Sequence, residues 1–150
     1  MSMFLTRLIG RRWVGLALAV LVVITFPPSL PAQSEGEDLG DIESAFAATM
    51  ADRDLEGFAS FLDAETVFYA GPTELRGAEA VKKAWASFFE GEAAPFSWRP
   101  EVVSVLDSGS LGLTSGPVLD PEGNRIGTFN SIWRLNADGV WKIVFDRGCP

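Results

Sequence analysis

Apolar residues recur along this chain with two periods, and the change from one to the other divides it. From Asp41 onward, Ile42, Phe46, Thr49 and Met50 fall at i, i+4, i+7 and i+8, one face of a helix. Acidic residues crowd its start, where the helix dipole favours them. Asp54 reads as the N-cap of a second, short helix whose Leu55, Phe58, Phe61 and Leu62 share a face. Thr66 to Tyr69 is β-branched and aromatic, which suits a strand, and Gly71-Pro72 ends it. Gly77 opens a third helix with the stripe Val81, Trp85, Phe88 and Phe89, and Gly91 stops it.

Beyond Pro95 the period falls to two. Phe96 to Leu106 reads as a strand broken at Pro100, and Leu111 to Leu119 as a second. Arg125 to Leu135 alternates, with Phe129, Ser131 and Trp133 on one face and Thr128, Asn130 and Ile132 on the other. Trp141, Ile143 and Phe145 are expected to share a face of the last strand. Turn residues at 107–110, 120–124 and 136–139 join these runs into an antiparallel meander. Helix, helix, strand, helix and then about four strands is an α+β order, with the helices on one face of a sheet.

The segment before this domain differs in kind. Residues 1–32 hold Arg7, Arg11 and Arg12 and no acid, then an apolar run from Trp13 to Phe26, then Pro27 and Pro28. A basic start, a short apolar centre and a small residue before the cut define a secretory signal, here with cleavage expected after Ala32. The run has 14 residues, against the roughly 20 a spanning helix needs. An uncleaved, tilted membrane anchor is the alternative, and Arg11-Arg12 also admits a twin-arginine export route. Residues 33–40 are small and acidic and are expected to be a flexible lead-in to a domain at 41–150.

Removing residues 1–32 leaves 9 of the 12 basic residues and all 20 acidic ones, which moves the net charge from −8 to −11. Such a charge argues against nucleic acid and against anionic membrane surfaces as partners. Cys149 is the only cysteine, so no intramolecular disulfide forms. Histidine is absent. That excludes Ser-His and Cys-His nucleophile pairs, His-ligated zinc and imidazole base chemistry. No carboxylate spacing suggests a metal site, and no cofactor is implied.

The segments ADRDLEGFASFLDAETVFYAG, ELRGAEAVKKAWASFF and GTFNSIWRLNADGVWKIVFDRG, in this order, resemble the NTF2-like (cystatin-like) superfamily, in particular its SnoaL-like and DUF4440 groups. The resemblance spans roughly Asp41 to Arg147. It implies a cone, a curved and mostly antiparallel sheet packed on three N-terminal helices, with a pocket at its open end. It also implies a homodimer through the outer sheet face. Ketosteroid isomerase shares the superfamily, yet the positions matching its catalytic groups hold Tyr69, Phe46 and Ser131 here, so its constellation is not retained.

Three functions follow as expectations. The first is a binding domain for a small apolar or amphipathic molecule, lined by Tyr69, Trp85, Phe89, Trp98, Phe129, Ser131 and Trp133. The second is a cofactor-free lyase, isomerase or cyclase moving a proton through Tyr69 or Asp146. For Asp146, an ion pair with Arg147 or Arg134 at the rim is the expected alternative to a desolvated base. The third is a domain that only dimerises or docks a partner. The aromatic residues of all these sets also read as ordinary core.

Overall fold

A computed structural model of the protein describes residues 32–149. The signal-peptide segment therefore lies outside the described residues, apart from Ala32 itself. Three helices, α1 (Ala32–Ala51), α2 (Leu55–Ser60) and α3 (Ala78–Trp85), pack against one curved sheet. Its strands are β1 (Leu62–Ala70), β2 (Thr73–Arg76), β3 (Ser97–Trp98), β4 (Val102–Val105), β5 (Leu111–Leu119), β6 (Arg125–Leu135) and β7 (Trp141–Cys149). The order across the sheet is β2-β1-β7-β6-β5-β3, with β4 also on β5. All pairings are antiparallel except β1 with β7. The sheet stays open rather than closing into a barrel, which makes it the expected α+β cone.

Local chemistry explains most boundaries. The Asp54 carboxylate caps α2, accepting from the Gly57 N–H at 2.8 Å. Pro100 splits the expected 96–106 strand into β3 and β4, which lie one after the other along β5. The β1–β2 hairpin turns at Gly71, whose φ of 61° lies in the left-handed region. Strand β2 escapes a pattern search because Thr73-Glu74-Leu75-Arg76 is an exposed edge with one inward residue.

Two expectations are corrected. Residues 33–40 are helical, the first turns of α1, rather than a flexible lead-in. Leu39 anchors this part of α1: it is fully buried and packs over the bare backbone of Gly112, where a Cβ would overlap its Cδ2. The second correction concerns β7. Trp141 and Ile143 are buried as expected, but Phe145 faces solvent. Ile132 pairs with Phe145 and Trp133 with Ile143, so Val144 is an extra residue, a β-bulge. Alternation restarts after it, which turns Phe145 outward and Asp146 inward.

Candidate functional site

The concave side of the sheet and the helices leave a cavity of ≈ 290 Å³ at the wide end of the cone. Its wall is almost wholly apolar. Trp85, Phe88, Phe96 and Trp98 form a continuous arc, with successive ring centroids 5.6, 5.3 and 6.0 Å apart. Phe46 from α1, Phe68 from β1 and Phe129 from β6 line the rest. Phe88 lines the cavity and is also solvent-exposed, so it marks the mouth.

Arg53 fixes that mouth. Its guanidinium donates to the carbonyls of Met50 at 3.0 Å, Glu90 at 2.8 Å and Gly91 at 3.3 Å, and to that of Phe88. Arg53 itself has a φ of 59°, a strained conformation for a non-glycine residue that the four carbonyl contacts hold in place. The helical turn 86–89 is thereby tied to the end of α1. Within it Phe89 points into the core and Phe88 toward the cavity entrance.

Asp146 is the ionisable side chain at the cavity wall besides Tyr69. The bulge points it inward, opposite Ser131, whose hydroxyl donates to Oδ2 at 2.7 Å. Among the described residues no cation answers it. Arg134 instead pairs with Asp63 at 2.8 Å and Glu65 at 3.3 Å, and Arg147 lies 5.8 Å over the Tyr69 ring. The expected ion pair at the rim is therefore not formed. Burial, reinforced by the charge of Glu43 and opposed by the Ser131 hydrogen bond, pushes the Asp146 carboxyl up to about 7.

Glu43 is the group that sequence reasoning missed. It is fully buried on α1 beneath the sheet. Trp98 Nε1 donates to its Oε1 at 2.8 Å, and Thr114 Oγ1 and Trp133 Nε1 donate to Oε2 at 2.6 and 3.1 Å. Burial raises its carboxyl above the usual range, against the pull of Thr114, Trp98, Trp133 and Ser131. Indole N–H groups only donate, so this nest is built for an acceptor. Ser131 thus stands between two buried carboxyls, Glu43 behind the cavity and Asp146 at its wall.

The residues expected to line a pocket divide into two groups. Tyr69, Trp85, Trp98 and Phe129 do line the cavity. Trp133 does not, because its indole is consumed by Glu43 and Thr114, and Phe89 does not, because it packs against Phe58 in the core. Ser131 is fully buried and reaches the cavity only through Asp146. Tyr69 turns its hydroxyl to Glu74, 3.1 Å away, so it does not converge with Asp146 on one point. Phe46, Phe68 and Phe96 also line the cavity, although they are not among the residues expected to do so. Among the described residues, no cluster of three acidic or Cys side chains is placed to hold a metal ion.

A family model described as a SnoaL-like domain matches residues 43–144, and 396 chains of known structure match the fold. A cystatin-like protein of unknown function from Nostoc punctiforme is 14% identical with a TM-score of 0.58, covering 74% of this chain and 88% of its own. An NTF2-like protein of unknown function from Pseudomonas putida is 14% identical with a TM-score of 0.62, covering 78% and 87%. A protein of the NTF2-like family from Streptomyces avermitilis, provisionally named a dehydratase, is 20% identical with a TM-score of 0.61, covering 79% and 96%. At these identities the likeness shows the fold alone. None of the curated proteins matches the chain.

Proposed function

The chain belongs to the SnoaL-like family and takes the NTF2-like fold, and from that premise we propose that it is a binding domain for a small, largely apolar molecule held in the cone. The observation that carries this reading is the cavity: eight aromatic side chains around one inward carboxyl, with an open mouth at Phe88. Ligand sites combine such apolar walls with a few placed polar groups.

Gly148 supplies the test. It lines the cavity two residues beyond Asp146, and a Cβ built on it meets nothing within 4 Å. A Gly148→Leu variant fills the space without displacing the fold. Native mass spectrometry of protein purified from its own compartment should show a retained small molecule in the wild type and none in the variant. Equal occupancy of the two would refute the cavity as the site.

A second reading is a lyase- or isomerase-type enzyme, favoured by the desolvated Asp146, whose proton affinity suits general acid–base work near neutral pH. Turnover that survives Asp146→Asn would remove it.

Export and self-association complete the proposal. The basic and apolar pattern of residues 1–32 supports secretion, checked by the N-terminal sequence of the mature protein. Leu113, Ile132 and Phe145 form an exposed apolar row across the outer face of β5, β6 and β7, which supports a homodimer there. Light scattering on Ile132→Lys tests it, with a monomer expected.

A further inference from the structure

We propose that the occupant of the cone is a lipophilic monocation, an aryl- or alkylammonium whose charge lies against Asp146 while its apolar part fills the aromatic arc. This inference rests on the binding reading above and names its ligand class.

Charge balance is the first argument. Two carboxyls, Glu43 and Asp146, are brought together around Ser131, and among the described residues no basic side chain lies at the cavity wall. The groups around Asp146 leave this imbalance in place. Glu43 faces it from α1, Phe68 lies beside it on β1, and Ser131 is opposite on β6. Arg147, next on β7, is turned to the Tyr69 ring, and the Tyr69 hydroxyl to Glu74 on β2. Arg134 on β6 is held by Asp63 and Glu65. A buried anion without a partner is costly, and a ligand cation supplies the missing partner. The aromatic arc is the second argument. Trp and Phe faces attract organic cations through the ring quadrupole, more strongly where water is excluded. The chain's net charge of −8 adds a long-range attraction of the same sign.

Benzyltrimethylammonium and its carbon isostere neopentylbenzene separate the ligand class from the cavity itself, since they share a shape and neither titrates. Binding to the full mature protein is read from tryptophan fluorescence, because Trp85 and Trp98 lie at the cavity. The cation should bind more tightly than the isostere. Its affinity should rise on the order of tenfold from pH 6 to pH 8 as Asp146, held near 7, gives up its proton. The isostere should show the opposite slope. Asp146→Asn should abolish the cation's advantage and leave the isostere bound.

Isostere binding equal to or tighter than the cation at pH 8 would overturn the cation assignment and leave the binding domain standing. A cation advantage that persists unchanged in Asp146→Asn would overturn the role of Asp146. If neither compound binds the wild type more tightly than Gly148→Leu, the cavity reading falls as well.

Discussion

Replacing Asp146 by Asn isolates what it costs this fold to hold a carboxyl inside the cone. Asparagine keeps an oxygen that accepts from Ser131, so the 2.7 Å hydrogen bond survives and only the ionisation is removed. The carboxyl moves from 3.8 to about 7 on folding, with burial the largest cause. At 1.36 kcal/mol per unit the full shift corresponds to about 4 kcal/mol, and the partial exposure of the residue reduces this to about 2–4 kcal/mol. The sign follows from the raised value. Below pH 4 both folded and unfolded chains carry the proton and there is no penalty. Between pH 4 and 7 the unfolded chain loses it while the folded chain keeps it, so stability falls as pH rises. Above pH 7 both are ionised and the whole penalty is present. Urea denaturation of wild type and Asp146→Asn from pH 4 to pH 9 reads this directly. Glu43 titrates with the same sign in both proteins, so the difference between them carries Asp146 together with its coupling to Glu43. The variant should match the wild type near pH 4 and be more stable by about 2–4 kcal/mol at pH 8, roughly 8–16 °C in Tm for a domain of this size. A difference that stays flat with pH, or a variant less stable at pH 8, would refute the desolvated carboxyl.

Three further outcomes follow from neighbouring residues. Glu43→Gln places an amide N–H2 against an indole N–H or the Thr114 hydroxyl, and should cost about 2–4 kcal/mol in urea denaturation at pH 7. The same change removes the charge that helps raise Asp146, so the Asp146 carboxyl should titrate at lower pH by carbon-13 NMR. Arg53→Ala frees the carbonyls of Met50, Phe88, Glu90 and Gly91 and should cost about 1–3 kcal/mol, with faster hydrogen exchange concentrated at residues 86–91. Gly148→Leu should hold or raise Tm, because its side chain enters open space; a fall of more than about 2 kcal/mol would mean that no room exists.

The fold was largely legible because its cues are local. The Asp54 cap, the turns at 120–124 and 136–139, and the alternation along β5 and β6 each act within a few residues. Asp120, for example, closes its own turn by accepting from the Asn124 N–H at 2.7 Å. What failed were features decided across the fold. Leu39, in the first turns of α1, packs over the bare backbone of Gly112 on a strand far along the chain, a contact that residues 33–40 alone do not reveal. Residues 33–40, read alone, carry the small acidic composition of a disordered lead-in.

The candidate site was harder to read for a related reason. Trp98 and Trp133 read in sequence as apolar lining or core rather than as donors to a carboxylate, Thr114 carries no signal, and Glu43 sits among other acids at a helix start where the dipole already accounts for it. Only folding shows that these residues converge, and that the helix face carrying Phe46 also carries a buried carboxylate. The direction of Asp146 depends on one inserted residue. Strict alternation from Trp141 and Ile143 would turn Phe145 inward and Asp146 to solvent, where Arg147 or Arg134 would pair with it. The bulge at Val144 reverses that choice, placing an apolar ring on the outer sheet face and a carboxyl in the cone. A single irregularity thus supplies both the inward acid of the cavity and the last residue of the outer apolar row. Deleting Val144 should therefore alter the cavity and the outer face together, whereas substituting Asp146 or Phe145 alters only one of them.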